Sequence, residues 1–285
     1  MTNIKLMAYV FACVLAAFLT SCEKQVGEDE QEKTTETDGV TLLFEAPTAV
    51  PYTTIGEVGT ASAVENTTLT QLSVCVFKDG KRVKSVHQSA DDNLFMKPSM
   101  RLENGTYSIV AVAHAGAGHA TVTKGQRITF YKNKVTDTYV YRGVINVSEK
   151  STLTLPMKRV TAMFELCLTS VLPPNVAQVE FLYTGGSSTL DAASLEGCVK
   201  SREKETREVS DAMRSVPPTF AIYTFPRPDS DGLKINVHFN DKNGNTLHEE
   251  TYEDVLVKVG MNTRHACSLP SDFVDALSKW GHFEP

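Results

Sequence analysis

The sequence has few of the features that mark nucleic-acid-binding or membrane-spanning proteins. Lys and Arg number 28 against 34 Asp and Glu, the net charge is −6, and no basic stripe could neutralise phosphates, so nucleic acid is not an expected partner. No segment contains 18 consecutive apolar residues, so no transmembrane helix is predicted. The 41% apolar and 22% charged composition is typical of a globular protein and excludes collagen-like, coiled-coil and wholly disordered chains.

Motifs that carry catalysis are also missing. No GxSxG, HExxH, GxGxxG or GxxxxGKS/T pattern occurs, and no CxxC pair offers a zinc ligand set. His114 and His119 flank the residues AGAG, but no carboxylate lies within five residues of either, and a loop after a strand explains the glycines. We therefore expect no catalytic residue, no metal site and no cofactor, and we expect that the chain is not an enzyme.

The first 22 residues predict export. A single positive charge, Lys5, precedes 14 apolar residues at 6–19, which at about 1.5 Å per residue are too few to span a bilayer core of about 30 Å. The residues LTSC at 19–22 resemble the lipobox of bacterial lipoproteins, whose signal is cut before the cysteine. This resemblance implies a signal peptide at 1–21 and lipidation of Cys22. The alternative is a soluble secreted protein in which Cys22 is accidental.

An acidic segment follows the lipidation site. Residues 23–38 contain seven acids and only two lysines, with almost no apolar side chain to bury. Such a stretch is expected to be a solvated tether, so we assign 22–38 to a tether that holds the folded part off the membrane. The run is similar to the acidic segment after the lipidated cysteine of Bacteroidota surface lipoproteins, which implies display on the outside of the outer membrane.

From residue 39 onward the sequence predicts an all-β protein. Short β-branched and aromatic runs alternate with turn residues, and the length and strand spacing favour two antiparallel β-sandwich domains, at 39–156 and 157–270. The polar segment 185–217 is interpreted as a long excursion from the second sandwich. Predicted strands cover 40–46, 69–77, 82–88, 95–102, 106–115, 126–132, 138–147, 151–158, 159–170, 177–184, 218–226, 232–240, 245–253, 254–260 and 262–269.

The tail at 271–285 changes periodicity and is interpreted either as a short amphipathic helix or as a strand-like extension. Cys75 and Cys167 alternate with apolar neighbours in predicted strands and are expected to be small buried residues. With Cys198 and Cys267 they could form disulfides outside the cytoplasm, but the sequence favours no pairing.

Three segments occur in a characteristic order: LSVCVFKDGKRVKSV at 72–86, LENGTYSIVAVAHAG at 102–116 and MKRVTAMFELCL at 157–168. Together with LTSC at 19–22, they resemble the fimbrillin family of Bacteroidales, the subunits of type V pili. The resemblance spans about 40–270. It implies two transthyretin-like β-sandwiches, a fimbrial location, a role in cell adhesion, and assembly with other fimbrial subunits by strand exchange.

One departure from the family indicates which branch the chain resembles. In polymerising fimbrillins an arginine-specific protease removes the first strand, whereas this sequence has no Arg or Lys between Lys33 and Lys78. Retention of the strand at 40–46 implies an anchor or length-limiting subunit of the FimB type. A polymerising or tip subunit that uses 271–285 as a donor remains an alternative. So does a glycan-binding surface lipoprotein, although the only Trp lies in the tail.

Overall fold

A computed structural model describes residues 40–46, 52–56, 68–123, 126–148 and 151–270. The predicted signal peptide (1–21), Cys22, the predicted tether (22–38) and the tail (271–285) lie outside these described residues. Within them the chain forms twenty strands and two short 3₁₀ turns, at Tyr131–Asn133 and Asp211–Arg214. No helix in this part of the chain is long and apolar enough to cross a membrane.

The strands have the following bounds. In the first part of the chain they are β1 (Val40–Glu45), β2 (Thr53–Ile55), β3 (Gln71–Lys78), β4 (Lys81–Ser89), β5 (Ser99–Met100), β6 (Gly105–His114), β7 (Thr121–Val122), β8 (Arg127–Thr129), β9 (Thr138–Val147), β10 (Thr152–Pro156) and β11 (Lys158–Arg159). In the second part they are β12 (Ala162–Leu168), β13 (Gln178–Thr184), β14 (Leu190–Asp191), β15 (Glu196–Gly197), β16 (Arg202–Glu208), β17 (Thr219–Thr224), β18 (Leu233–Asn240), β19 (Thr246–Val255) and β20 (Met261–Cys267).

The first sandwich packs a five-stranded sheet, in the order β11-β9-β6-β3-β4, against a three-stranded sheet, β10-β1-β5. Alternating residues of its strands point inward, as the period of two in the sequence requires. Apolar side chains from both sheets form one core, which includes Val40, Leu42, Phe44, Leu72, Val74, Ile109 and Leu155.

The second sandwich packs the sheet β17-β12-β20-β2 against the sheet β16-β13-β18-β19. All seven residues of β12 are buried, which is typical of a strand covered on both faces. The core between the two sheets includes Phe164, Leu166, Phe181, Phe220, Ile235 and Phe239. The short strand β2 precedes β3 in the sequence. The second sandwich is therefore completed by residues that lie N-terminal to the five-stranded sheet of the first sandwich.

A further sheet joins the two sandwiches. Its order is β15-β14-β8-β7, with Leu190 opposite Ile128 and Asp191 opposite Arg127. An apolar cluster that contains Phe130 and Phe225, whose ring centroids are 5.4 Å apart, packs with this sheet. We refer to this sheet and cluster as the joint.

The predicted all-β architecture of β-sandwiches is confirmed, and most predicted strands coincide with observed ones. Most strand pairs are antiparallel, but β1–β10, β12–β20 and β2–β20 are parallel. Parallel partners are distant in sequence because parallel strands cannot be joined by a tight turn. The alternation of residues along a strand does not indicate whether the strand pairs in a parallel or an antiparallel direction.

Three details of the prediction are wrong. Only Ser99–Met100 of the predicted strand 95–102 is extended in a sheet, because Met96 adopts a positive φ of 67° and Pro98 has no N–H to donate. The two strands predicted at 245–253 and 254–260 are one strand, β19, which ends at Val255. The segment 185–217 is not simply an excursion, since β16 pairs with β13 over seven residues.

Candidate functional site at the N-terminal strand

Strand β1 occupies a groove between two strands of the first sandwich. It runs parallel to β10 over five residue pairs, from Thr41–Thr152 to Glu45–Pro156, and antiparallel to β5. The Thr41 N–H donates to the Ser151 carbonyl at 2.8 Å, and the Met157 N–H donates to the Glu45 carbonyl at 2.8 Å. On the opposite side, the Leu42 N–H donates to the Pro98 carbonyl at 3.0 Å. The backbone of β1 is therefore hydrogen-bonded on both sides.

The inward face of β1 is apolar. Val40, Leu42 and Phe44 are no more than 2% exposed, and the Phe44 ring meets the Tyr141 ring edge-on at a centroid distance of 6.2 Å. Burial of each such side chain contributes about 1.5–3 kcal/mol. Without β1, the groove would present an apolar floor and two rows of unpaired backbone groups, which is the surface that a strand from another chain can fill.

A buried polar cluster forms around Tyr52, the residue directly before β2. The Arg159 guanidinium holds both carboxylate oxygens of Asp137, at 2.9 and 3.0 Å. The Tyr52 hydroxyl donates to Asp137 at 2.8 Å and lies 3.0 Å from the Thr161 hydroxyl, which itself donates to Asp137 at 3.2 Å. Burial and the Asp137 charge hold the pKa of Tyr52 well above its usual value. We call Tyr52, Asp137, Arg159 and Thr161 the Tyr52 cluster.

No sequence motif identifies this cluster. Tyr52 lies 85 residues from Asp137, and Asp137 lies 22 residues from Arg159. An isolated tyrosine in a segment of small and polar residues was the one available signal, because a large aromatic side chain in such a segment needs an apolar or hydrogen-bonded site. Burial followed by the Asp137 charge also raises the pKa of the neighbouring Tyr139 to about 12.

The two histidines that flank the residues AGAG, His114 and His119, lie in different surroundings. His114 is 1% exposed, packs edge-on against Phe130, and accepts a hydrogen bond from the Gly116 N–H at its Nδ1. Burial, and secondarily the charge of His119, lowers the pKa of His114 to about 4. His119 instead lies against the His87 ring, with centroids 4.6 Å apart. Within the described part of the chain, no group of three or more His, Cys, Asp or Glu side chains could hold a metal ion.

The cysteines behave as small side chains. Cys75 and Cys167 are buried, as predicted, at 1% and 7% exposure. Both are free thiols, and so are Cys198 and Cys267. The buried face of β12 that carries Cys167 also carries Glu165, whose carboxylate lies 2.9 Å from the Arg264 guanidinium.

Two edge strands of the large sheets, β4 and β19, carry several charged residues. Edge strand β4 carries Lys81, Arg82 and Lys84, whereas edge strand β19 carries Glu249, Glu250 and Glu253. Charged side chains on an edge strand discourage unselective pairing with other chains. The β1 groove is therefore a better candidate for strand exchange than these edges.

The surface of the described residues offers few aromatic side chains on which a sugar ring could stack. Tyr131 is the one exposed aromatic residue among the large exposed hydrophobic side chains of the described residues. A cavity of about 400 Å³ beside the β14–β15 hairpin is lined by charged and small side chains, including Asp191, Lys200, Arg227 and Asp229, with no aromatic ring. Sugar sites usually present aromatic faces, so this cavity does not favour the glycan-binding alternative.

Residues 33–266 match the family described as fimbrillin-A associated anchor proteins Mfa1 and Mfa2. Among solved structures, the fimbrial anchor protein Mfa2 from Porphyromonas gingivalis is 13% identical, with 75% of this chain and 81% of that chain covered and a TM-score of 0.35. A fimbrial assembly protein from Parabacteroides distasonis ATCC 8503 is also 13% identical, with 82% of this chain and 91% of that chain covered and a TM-score of 0.40. No protein with a curated description matches. The family match spans more than half of the 285 residues and confirms the relationship to fimbrillins, so the chain belongs to the fimbrillin-A associated anchor family of Mfa1 and Mfa2.

Proposed function

We propose that this protein is a lipid-anchored subunit that holds a type V fimbria to the outer membrane and limits its length. Membership of the anchor family makes it a fimbrial protein of the cell surface. The observation that carries the finer assignment is strand β1, which fills its own groove with hydrogen bonds on both sides. A subunit whose groove is already filled cannot accept a donor strand there, so it ends strand exchange in one direction.

The sequence around β1 supports its retention. No Arg or Lys lies between Lys33 and Lys78, so a protease that cuts after basic residues has no site that would separate β1 from the rest of the fold. With β1 in place, the chain from Cys22 to the sandwiches stays continuous. A cut between β1 and β3 would separate the sandwiches from Cys22, so an uncut chain at β1 is a condition for membrane attachment.

The attachment itself is proposed at Cys22. The LTSC sequence supplies the lipidation signal, and residues 23–38 supply an acidic tether. Acyl chains contribute about 0.8 kcal/mol per buried CH₂, so two or more chains give stable anchoring without a spanning helix. Other fimbrial subunits are the proposed partners, through complementation of their open grooves by a strand of this chain, which supports cell adhesion.

Mass spectrometry of protein purified from the native outer membrane tests this function. We expect a diacylated or triacylated Cys22 joined to residues 23–285, with every N-terminal peptide from 23 to 78 recovered. A Cys22→Ala variant serves as the control and should be absent from the membrane fraction. A chain without lipid that begins after residue 46 would overturn the anchor assignment and favour a polymerising subunit.

A further inference from the structure

We infer that the described residues 40–46 and 52–56 act together as one bipartite clip, which binds the first sandwich through β1 and the second sandwich through Tyr52 and β2. The remainder of the chain therefore contains a second peptide-binding site, separate from the β1 groove. This inference concerns the folded body of the protein and is independent of lipidation at Cys22. The inference predicts that the clip stays bound to the folded body after the peptide chain is cleaved on the C-terminal side of the clip.

The second site begins with the edge of β20. Strand β2 runs parallel to β20, with Thr53 opposite Met261 and Ile55 opposite Thr263. The Thr53 N–H donates to the Gly260 carbonyl at 2.9 Å. Because β2 is the last strand of its sheet, this pairing is made by a backbone edge that a peptide can enter from outside.

Gly56 ends the clip with a close backbone approach. Its φ is +122°, and a Cβ at this position would lie 2.2 Å from the Arg264 carbonyl oxygen. A side chain is excluded there by both the conformation and the space. The second site therefore selects glycine directly after the short strand.

The Tyr52 ring enters the site where the two sandwiches meet. Tyr52 is 6% exposed, and the Arg159 guanidinium carbon lies 4.0 Å from its ring centroid. Asp137 accepts a hydrogen bond from the Tyr52 hydroxyl and directly precedes β9 of the first sandwich. Thr161, whose hydroxyl also contacts the Tyr52 hydroxyl, directly precedes β12 of the second sandwich. One phenol thus contacts groups that belong to both sandwiches.

These contacts specify the ligand class. The two sites accept a peptide in which one apolar strand, here Val40, Leu42 and Phe44, is followed by a tyrosine, a second short strand and a glycine. Within this chain the ligand is the chain's own segment. Its combined binding through two sites is expected to be much tighter than through either alone, because the second contact is intramolecular once the first has formed.

The test uses the full chain with the recognition sequence of a site-specific protease inserted between Ser62 and Ala63. After cleavage, the N-terminal fragment is expected to co-elute with the body in size-exclusion chromatography and to separate only in denaturant. The dissociation rate is then followed by displacement with excess labelled peptide of residues 39–58. Fast loss of the fragment from the cleaved wild-type chain would overturn the inference.

A matched pair of proline variants tests whether β2 contributes to retention of the cleaved N-terminal fragment. Thr53→Pro removes the donor to Gly260, whereas the next N–H, that of Thr54, points to the open edge, where proline is tolerated. We expect Thr53→Pro to accelerate dissociation at least about tenfold relative to Thr54→Pro. Equal rates for the two variants and the wild type would show that β1 alone holds the fragment. Circular dichroism of the uncut variants verifies that each is folded before cleavage.

Discussion

The core of the first sandwich and the region where the two sandwiches meet are held together differently. The core is filled by apolar side chains such as Leu42, Val74 and Ile109, all fully buried. The meeting region instead combines the apolar joint with the Tyr52 cluster and with His114. Apolar packing requires a matched volume but accepts different apolar partners, whereas hydrogen-bonded charges fix one arrangement. The core therefore supplies stability, and the meeting region sets how the sandwiches are connected.

The largest effect is expected in the core. Phe44→Ala removes a side chain that is 2% exposed and should lower the free energy of unfolding by about 3–5 kcal/mol, through lost burial and a residual cavity. Chemical denaturation measures the change. Glu45→Gln, at the exposed end of the same strand, is the control and should change stability by less than about 0.5 kcal/mol. A small effect of Phe44→Ala would show that β1 contributes little to the first sandwich.

The second largest expected effect is a pH dependence of stability that arises from His114 in the meeting region. The pKa of His114 is lowered from 6.5 to about 4 in the folded protein, so the unfolded chain binds more protons between these values. Stability should therefore fall as pH drops from 6.5 to 4, by up to about 3 kcal/mol from this group. Denaturation at a series of pH values measures the slope, and His114→Gln should flatten it. An unchanged slope in the variant would assign the pH dependence to other groups.

A smaller effect is expected from the charge in the Tyr52 cluster. Asp137→Asn keeps the shape of the side chain but weakens its charge-assisted hydrogen bonds to Arg159. We expect a loss of about 1.5–3 kcal/mol in the free energy of unfolding. Hydrogen exchange should locate the loosened amides around β2 and β9 while the centre of the first sandwich, at β3 and β6, stays protected. Uniform loosening of both regions would argue against separate roles for the core of the first sandwich and the meeting region.

The smallest effect is expected from the phenol. Tyr52→Phe preserves the ring over Arg159 and removes only the hydroxyl that contacts Asp137 and Thr161. The expected loss is about 1 kcal/mol, because the ring keeps its packing and its cation–π contact. Thermal unfolding of the variant beside Tyr131→Phe, whose ring is 56% exposed, gives the comparison. A stability equal to that of Tyr131→Phe would mean that the Tyr52 hydroxyl contributes nothing.

Much of the fold was predictable because strand alternation is a local signal. The runs that became β3, β6, β9 and β18 are eight to ten residues long and bounded by turn residues. β18 and the second half of β9 alternate between the two faces, whereas β3 and β6 are mainly continuous buried runs. Strand β2 escaped prediction because it is three residues long and two of them, Thr53 and Thr54, are exposed. Strand β16 escaped because its alternating charges are typical of a solvated loop until a partner strand is identified.

Residue patterns alone predict that this chain folds into β-sheets, because side-chain alternation and turn residues act between near neighbours. The order of three characteristic segments along the chain indicates the fimbrillin relationship. The packed structure was needed to establish that β1 lies parallel to β10, that β2 completes the second sandwich, and that Tyr52 contacts Asp137 across 85 residues. These pairings depend on which surfaces remain open once the sheets have packed. That choice is made by the whole molecule, and no local pattern of residues encodes it.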